Sequence, residues 1–139
     1  MNIVQQLKNE EGSVAHAYQD SLGYWTIGVG RLIDERKGGL LYPDEIDYLL
    51  KNDIKRKTDG LNDALPWFHL LDERRQAVLI QMAFQMGVKG LLAFTTTLGH
   101  VRVGRYAEAA VAMLESLWAK QTPERAARLS KQMETGEWI

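Results

Sequence analysis

The chain has 139 residues, of which 25% are charged, with a formal net charge of −1 and no cysteine. This length and an apolar fraction of 45% are typical of one globular domain with a buried core. The near-neutral charge argues against a strongly basic nucleic-acid binder, and the lack of cysteine excludes disulfides and thiol chemistry.

The first part of the chain predicts a helix followed by a small sheet. Asn2 is a good N-cap residue, and the apolar residues after it recur at helical spacing. Glu11 closes this helix, Asp20 begins a polar turn, and Thr26 lies in an aromatic-rich strand. Residues 14–32 alternate in polarity and turn through glycines, which predicts a hairpin-like sheet.

The rest of the chain is predicted to be helical. Pro43 occupies a first helical position and acidic residues follow it, which predicts a long helix to about Thr58. Asp72 is predicted to cap a second helix that ends near Gly87. Further helices are predicted over Leu91–Phe94, Thr96–Val103, Tyr106–Leu114 and from Thr122 to near Gly136. The expected fold class is therefore α+β, mainly α.

Glu11, Asp20 and Thr26 form an E-x8-D-x5-T pattern that suits glycoside hydrolysis, which needs two carboxylates in different protonation states. The negative end of the first helix and the neighbouring Glu10 would both raise the pKa of Glu11, as a general acid requires. Asp20 would stay ionised in its polar turn, and the Thr26 hydroxyl could hold a water. For either acid alone, a solvated surface charge is the more frequent meaning. The joint pattern favours catalysis.

The chain resembles phage-type lysozymes (endolysins, muramidases) of the T4 lysozyme family, glycoside hydrolase family 24. The motifs that carry the resemblance occur in order along nearly the whole chain: MNIVQQLKNEEG, YQDSLGYWTIGVGRL, LIQMAFQMG, AFTTTL and WAKQTPERAARLSKQMETGEW. The resemblance implies a lysozyme-like fold in a single domain, 1–139. In it, a small N-terminal sheet lobe with its long connecting helix would cover about 12–58, and a helical lobe would comprise 1–11 and 59–139.

The same resemblance implies the activity and the site. It implies cleavage of the β-1,4 bond between N-acetylmuramic acid and N-acetylglucosamine in peptidoglycan, by inversion, with Glu11, Asp20 and Thr26 as the catalytic residues. It further implies substrate contacts at Leu32, Phe84, Thr97 and Gln121, and supporting roles for Glu10, Arg125 and Arg128.

Some of these assignments have a second interpretation. Phe84 lies in a helical apolar stripe that is more often core, and Trp118 is interpreted as core. By resemblance Arg125 would face Glu11 and Arg128 would face Glu10. An Arg125–Glu11 pair would lower the pKa of Glu11, against the raising effects above, and the sequence leaves the balance open.

The chain also departs from the family. The stretch DERKGGLL at 34–41 is shorter than the corresponding region of T4 lysozyme, and Ala112 replaces a polar contact residue. Arg31 stands where T4 lysozyme carries histidine. It could pair with Asp53 or be a free surface residue, and the sequence does not decide between the two.

The expected biological setting follows from the resemblance. Lys8, Glu10 and Glu11 interrupt any secretory apolar region, and no apolar run is long enough to span a bilayer. We therefore expect a monomer held in the host cytoplasm, released by a holin-type lesion, and acting on peptidoglycan glycan strands in the periplasm. No metal, cofactor, nucleic acid or membrane insertion is expected. A noncatalytic lysozyme-like wall-binding protein is the alternative, and a helix-turn-helix nucleic-acid binder would lack a clearly basic recognition helix.

Overall fold

The computed structural model describes residues 2, 4, 8–9, 12–19, 21–29, 31–32 and 40–139. The chain divides into two compact units, Met1–Leu49 and Leu50–Ile139. A small antiparallel sheet belongs to the first unit, and helices make up the second. The expected α+β, mainly α class is confirmed. The lobe boundaries implied by the resemblance stay predictions.

The first unit contains a three-stranded sheet in the order β1–β2–β3, with β1 at Val14–Gln19, β2 at Trp25–Gly28 and β3 at Arg31–Leu32. Both strand pairs are antiparallel, as the alternating pattern and intervening glycines predict. Thr26 in β2 pairs with Tyr18 in β1 and with Leu32 in β3.

Part of the predicted N-terminal helix is visible before the sheet. Val4, Lys8 and Asn9 have helical backbone conformation. The Gly12 N–H donates to the Lys8 carbonyl at 2.9 Å, which extends the helical bonding pattern towards the sheet.

The long helix α1 spans Pro43–Ala64. Its start has the predicted chemistry: Pro43 occupies the first position, and the Glu45 carboxylate accepts the Tyr42 N–H at 3.0 Å. The helix continues past the predicted end at Thr58 because Leu61 is fully buried in the core. Packing in this last turn outweighs the weak helix preference of the glycine at position 60.

Helix α2 spans Glu73–Leu92 and follows a short 3₁₀ turn at Phe68–Leu70. Asp72 caps it as predicted, with its carboxylate accepting the Arg75 N–H at 3.0 Å. Gly87 has a φ of 79° and interrupts the helix where an end was expected, but the chain resumes helical structure to Leu92. The predicted separate helix at Leu91–Phe94 is therefore wrong in its bounds.

Four helices complete the second unit: α3 at Thr95–Arg102, α4 at Tyr106–Leu114, α5 at Leu117–Gln121 and α6 at Pro123–Thr135. Helix α6 begins with Pro123 as predicted and ends at Gly136, which has a φ of 69°. Helix α5 was not expected from the sequence. Ser116 caps it, with its hydroxyl oxygen accepting the Ala119 N–H at 3.2 Å.

The core of the second unit draws on all six helices. Its largest fully buried side chains are Phe68, Leu61, Leu79, Met82, Leu91, Met113, Met133, Val78 and Val101. Within the described residues no single helix is long and apolar enough to cross a membrane. Helices α2 and α3 would meet that requirement only as a pair bent by 100°.

Arg75 ties the start of α2 to the end of α6. Its Nε donates to the Met133 carbonyl at 2.7 Å, and its Nη2 donates to the Glu134 carbonyl at 3.0 Å. The same guanidinium bonds Asp72 at 3.0 Å and lies 3.6 Å from the centre of the Tyr106 ring. These contacts satisfy carbonyls that a helix end otherwise leaves unbonded.

Candidate active site

Thr26 is the expected catalytic residue that the structure describes, while Glu11, Asp20 and the neighbouring Glu10 lie outside the described residues. Thr26 is 5% exposed, and its hydroxyl donates to the Tyr24 carbonyl at 3.2 Å. A hydroxyl that donates to the backbone keeps its lone pairs for a second partner. Thr26 is therefore set up to accept a hydrogen bond, for example from a water.

Leu32 lies directly opposite Thr26 across the β2–β3 pair, and Tyr18 lies opposite it across the β1–β2 pair. Side chains directly opposite each other share one face of a sheet. Leu32 is 44% exposed, so an accessible apolar side chain lies beside the buried hydroxyl. The sheet thus brings together the expected Leu32 contact and the expected Thr26 site.

Arg31 forms an ion pair with Glu45, and Asp53 pairs with Arg56 at 3.4 Å. The sequence left open whether Arg31 pairs with Asp53 or is a free surface residue. The structure shows neither, because Arg31 pairs with Glu45. The hydrogen bond from the Tyr42 N–H, followed by that from Arg31, holds the pKa of Glu45 below its ordinary value.

The helical unit contains a cavity of about 490 Å³ that we call the Thr97 pocket. Thr97 and Gln121, both expected to contact substrate, line it together with Ala112. The remaining lining residues are Ala93, Phe94, Thr95, Thr96, Glu115, Ser116, Leu117 and Trp118. Helices α3, α4 and α5 therefore converge on one concave surface, and two of the expected binding residues occupy it.

Two aromatic rings form one side of the Thr97 pocket. Trp118 is 7% exposed, which confirms its interpretation as a core residue, and its indole N–H donates to the Gln85 side chain at 2.9 Å. Phe94 meets it edge-on, with ring centres 6.2 Å apart and planes at 78°. This arrangement is a favourable aromatic pair, so each ring stabilises the position of the other on that side of the pocket.

Phe84 lies at a different place. It lines a second cavity of about 490 Å³, the Phe84 groove, together with Arg125 and apolar side chains that include Leu50, Ile80 and Trp138. Phe84 is 42% exposed, so the interpretation of this residue as core is wrong. Its neighbours on α2, Met82 and Ala83, fill the core instead.

Arg125 and Arg128 lie together at the start of α6, where both line a cavity of about 340 Å³. Arg125 is half-buried and Arg128 is exposed. Neither has an ion pair with any residue that the structure describes. Their expected partners Glu11 and Glu10 fall outside that part of the chain, so both pairings stay predictions.

Sequence reasoning missed Glu115, Ser116 and Phe94 as lining residues. Ser116 precedes a Leu-Trp-Ala stretch, and serine in that position is a capping signal that could have revealed α5. Glu115 carries no such signal, because its place in the pocket depends on how α4 ends. In the described residues no cluster of acidic or histidine side chains is arranged to hold a metal ion.

Comparison of the sequence with known proteins gives the family context of these residues. The phage lysozyme family model matches residues 8–134. The chain is 34% identical to the probable T4-type lysozyme 1 of Dictyostelium discoideum over 97% of this chain and 95% of that protein. It is 32% identical to the endolysin of Salmonella phage P22 over 86% of this chain and 82% of that protein. It is also 29% identical to the pre-baseplate central spike protein Gp5 of Enterobacteria phage T4, over 98% of this chain and 28% of that protein.

These matches extend over nearly the whole chain, through the sheet with Thr26 and through the helices that form the Thr97 pocket. The matches to lysozymes and to an endolysin support a glycosidase activity on peptidoglycan. On this evidence the chain belongs to the phage lysozyme family.

Proposed function

We propose that this chain hydrolyses the β-1,4 bond between N-acetylmuramic acid and N-acetylglucosamine, with inversion at the anomeric carbon. The observation that carries the proposal is the buried Thr26 hydroxyl, which donates to the Tyr24 carbonyl and keeps its lone pairs for a water. In a phage lysozyme chain, a hydroxyl held in this way suits the positioning of a nucleophilic water.

The proposed mechanism divides the work among three side chains. Glu11, protonated, donates its proton to the leaving glycosidic oxygen. Asp20, ionised, accepts a proton from the attacking water, and Thr26 holds that water on the opposite face of the sugar. An inverting site needs about 6.5–9.5 Å between the two carboxyl groups to accommodate the water, against about 5–5.5 Å in a retaining site.

The acid is tested by Glu11→Gln, because an amide keeps the shape of the side chain but cannot donate the proton. General acid catalysis contributes about 10²–10⁴-fold, so clearing of a purified cell-wall suspension should fall at least that far. Circular dichroism at equal concentration checks that the variant is folded. Clearing above about one tenth of the wild-type rate would remove Glu11 from the role of acid.

The stereochemistry has a direct readout. Proton NMR during the first minutes of hydrolysis distinguishes the anomer that the enzyme forms from the one that later appears by mutarotation. Inversion of a β-bond gives an initial α product. A β product formed first would contradict attack by a water and would indicate a covalent intermediate.

We also propose that the enzyme serves in lysis of the host, in keeping with the extensive match to a phage endolysin. It would wait in the host cytoplasm as a monomer until a holin-type lesion gives it access to the wall. A culture that expresses it should stay intact, and should clear when the inner membrane is permeabilised. Clearing of the culture without permeabilisation would contradict this requirement.

Two other roles have different outcomes in these experiments. A noncatalytic wall-binding protein would sediment with cell walls and leave them turbid even as wild type.

The match to the Gp5 spike protein supports a second candidate role, in which the same hydrolase opens the wall from within a larger assembly. Stable association with another phage structural protein during size-exclusion chromatography would favour that role over lysis by a free enzyme.

A further inference from the structure

The Thr97 pocket contains one charged side chain among the described residues that line it, the carboxylate of Glu115. Glu115 lies at the end of α4 and is exposed. It forms no ion pair or side-chain hydrogen bond with any described residue. The other lining residues are apolar, aromatic, hydroxyl or amide side chains. The pocket therefore presents a single negative charge to whatever enters it.

The Thr97 hydroxyl is a second open polar group in this pocket. Thr97 is 2% exposed, and its hydroxyl has no hydrogen bond within the described part of the chain. Among the described residues, every side-chain nitrogen or oxygen atom that is fully buried has a hydrogen-bond partner. The hydroxyl must therefore be the portion of Thr97 that remains accessible, and the space that Thr97 borders is the cavity.

The Ser116 hydroxyl differs from that of Thr97, because it already donates one hydrogen bond and accepts another. It donates to the Met113 carbonyl at 2.7 Å and accepts the Ala119 N–H at 3.2 Å. Thr97 thus offers an unused acceptor in a nearly buried position, and Glu115 offers a carboxylate, unpaired among the described residues, in the lining of the same pocket. Buried polar groups are normally bonded, so an unpaired one that borders a cavity points to a ligand.

We propose that the Thr97 pocket binds a primary ammonium group of the substrate, with Glu115 as the counter-charge and Thr97 as a hydrogen-bond acceptor. The aromatic side formed by Phe94 and Trp118 would pack against the apolar carbon atoms next to the ammonium. This inference rests on the proposed peptidoglycan activity and adds a preference for walls with free amino groups. Such a group could belong to a diamino acid of the stem peptide or to a glucosamine that lacks its acetyl group.

The test compares hydrolysis rates on matched substrates. Cell walls with free stem amines are compared with the same walls after chemical N-acetylation, which removes the positive charge and keeps the glycan. The wild type should show a KM about three- to fivefold lower on the free-amine wall, the effect of an exposed ion pair. Glu115→Gln should raise KM on the free-amine wall to the value for the acetylated wall and leave kcat unchanged.

Two further substrates identify the source of the ammonium. Glycan strands stripped of their stem peptides should be cleaved equally by wild type and Glu115→Gln. If stripped strands with free glucosamine amines are instead preferred, and the preference depends on Glu115, the ammonium is that of the sugar. Glu108→Gln is the matched control, since Glu108 lies exposed on the same helix but does not line the pocket.

A binding measurement keeps this inference separate from the proposed function. Soluble stem peptide with a free amine should shift the Trp118 indole N–H resonance in wild type, and the N-acetylated peptide should not. This readout works even if no wall is cleaved, in which case the proposed function fails alone. Equal hydrolysis of free and acetylated walls by wild type, or discrimination that survives in Glu115→Gln, would overturn the ammonium site.

Discussion

Thr26 is a residue whose chemical and structural roles can be separated by experiment. Thr26→Val keeps the branched shape that suits β2 and removes the hydroxyl that donates to Tyr24. We expect the rate of wall hydrolysis to fall about 10²-fold or more, because the attacking water loses the hydroxyl that positions it. The free energy of unfolding should change by only about 1 kcal/mol, the net value of one neutral hydrogen bond.

Thr26→Ser is the control for this prediction, since it restores the hydroxyl without the methyl group. Its activity should lie within about one decade of wild type, measured as initial clearing rate at equal folded concentration. If Thr26→Val and Thr26→Ser lose activity to the same degree, the methyl group matters and the hydroxyl does not hold the water.

Individual residues also show how far sequence reasoning reaches. Thr97 and Gln121, which the resemblance names as substrate contacts, line one pocket, and Trp118 is buried as its size suggested. Phe84 shows the limit, because a helical stripe does not reveal which of several adjacent apolar residues will face inward. Trp118 and Gln85 are far apart in sequence, so no local pattern could have predicted their bond.

At the level of secondary-structure elements, Asp72 caps helix α2, and its charge makes the stability of the fold depend on pH. Burial raises the pKa of this carboxyl, but hydrogen bonds from the Arg75 N–H and guanidinium outweigh burial and hold the pKa below its ordinary value. A depressed pKa means that the ionised carboxylate stabilises the fold above the unfolded pKa of about 3.9. That stabilisation is lost as the pH falls through the folded pKa.

Asp72→Asn tests this, because asparagine still caps the helix but carries no charge. Near pH 7 the wild type should be more stable by about 1 kcal/mol or less, since the side chain is partly exposed. The difference should disappear below about pH 3. Asp72→Ala should cost about 1 kcal/mol further because the cap itself is lost. Urea unfolding at both pH values provides the measurement, and a difference that persists in acid would contradict the charge argument.

Helix starts were more predictable than helix ends. Pro43, Asp72 and Pro123 each stand at an observed start, because proline and capping side chains act locally on the first turn. The end of α1 depends on the burial of Leu61, which is a tertiary effect. Helix α5 has only 5 residues. So short a helix shows no repeat of apolar residues at helical spacing, and the sequence therefore gives no periodic signal for it.

At the scale of the whole molecule, Arg75 joins two helices that are far apart in the sequence, so its loss should lower the stability of the fold. Arg75→Ala removes charged hydrogen bonds to Met133 and Glu134 and the contact with the Tyr106 ring. Its side chain is 15% exposed, so these bonds are largely shielded from water. We expect the free energy of unfolding to fall by about 2–3 kcal/mol in urea titration at neutral pH.

Arg74→Ala is the matched control, because the neighbouring Arg74 is exposed and its side chain has no ion pair among the described residues. It should change the free energy of unfolding by no more than about 0.5 kcal/mol. Similar losses in the two variants would mean that helix propensity or net charge, and not the Arg75 contacts, sets the effect.

The fold class was predictable for the whole chain, because alternation near the N-terminus and capped helical segments after it are local signals. Only the resemblance singled out Thr97 and Gln121, which line one pocket, and the grouping of the catalytic residues stays a prediction. The contacts of Arg75 could not be predicted, since its carbonyl partners carry no side-chain signal and lie at the other end of the helical unit.

Those contacts have a consequence for motion at the chain end. Terminal helical turns usually fray, and their amide protons then exchange quickly with solvent deuterium. Here the carbonyls of Met133 and Glu134 are bonded to Arg75, so opening the last turn of α6 also disturbs the first turn of α2. The amides of these two turns should exchange together as one cooperative unit, at a rate that Arg75→Ala raises in both places at once.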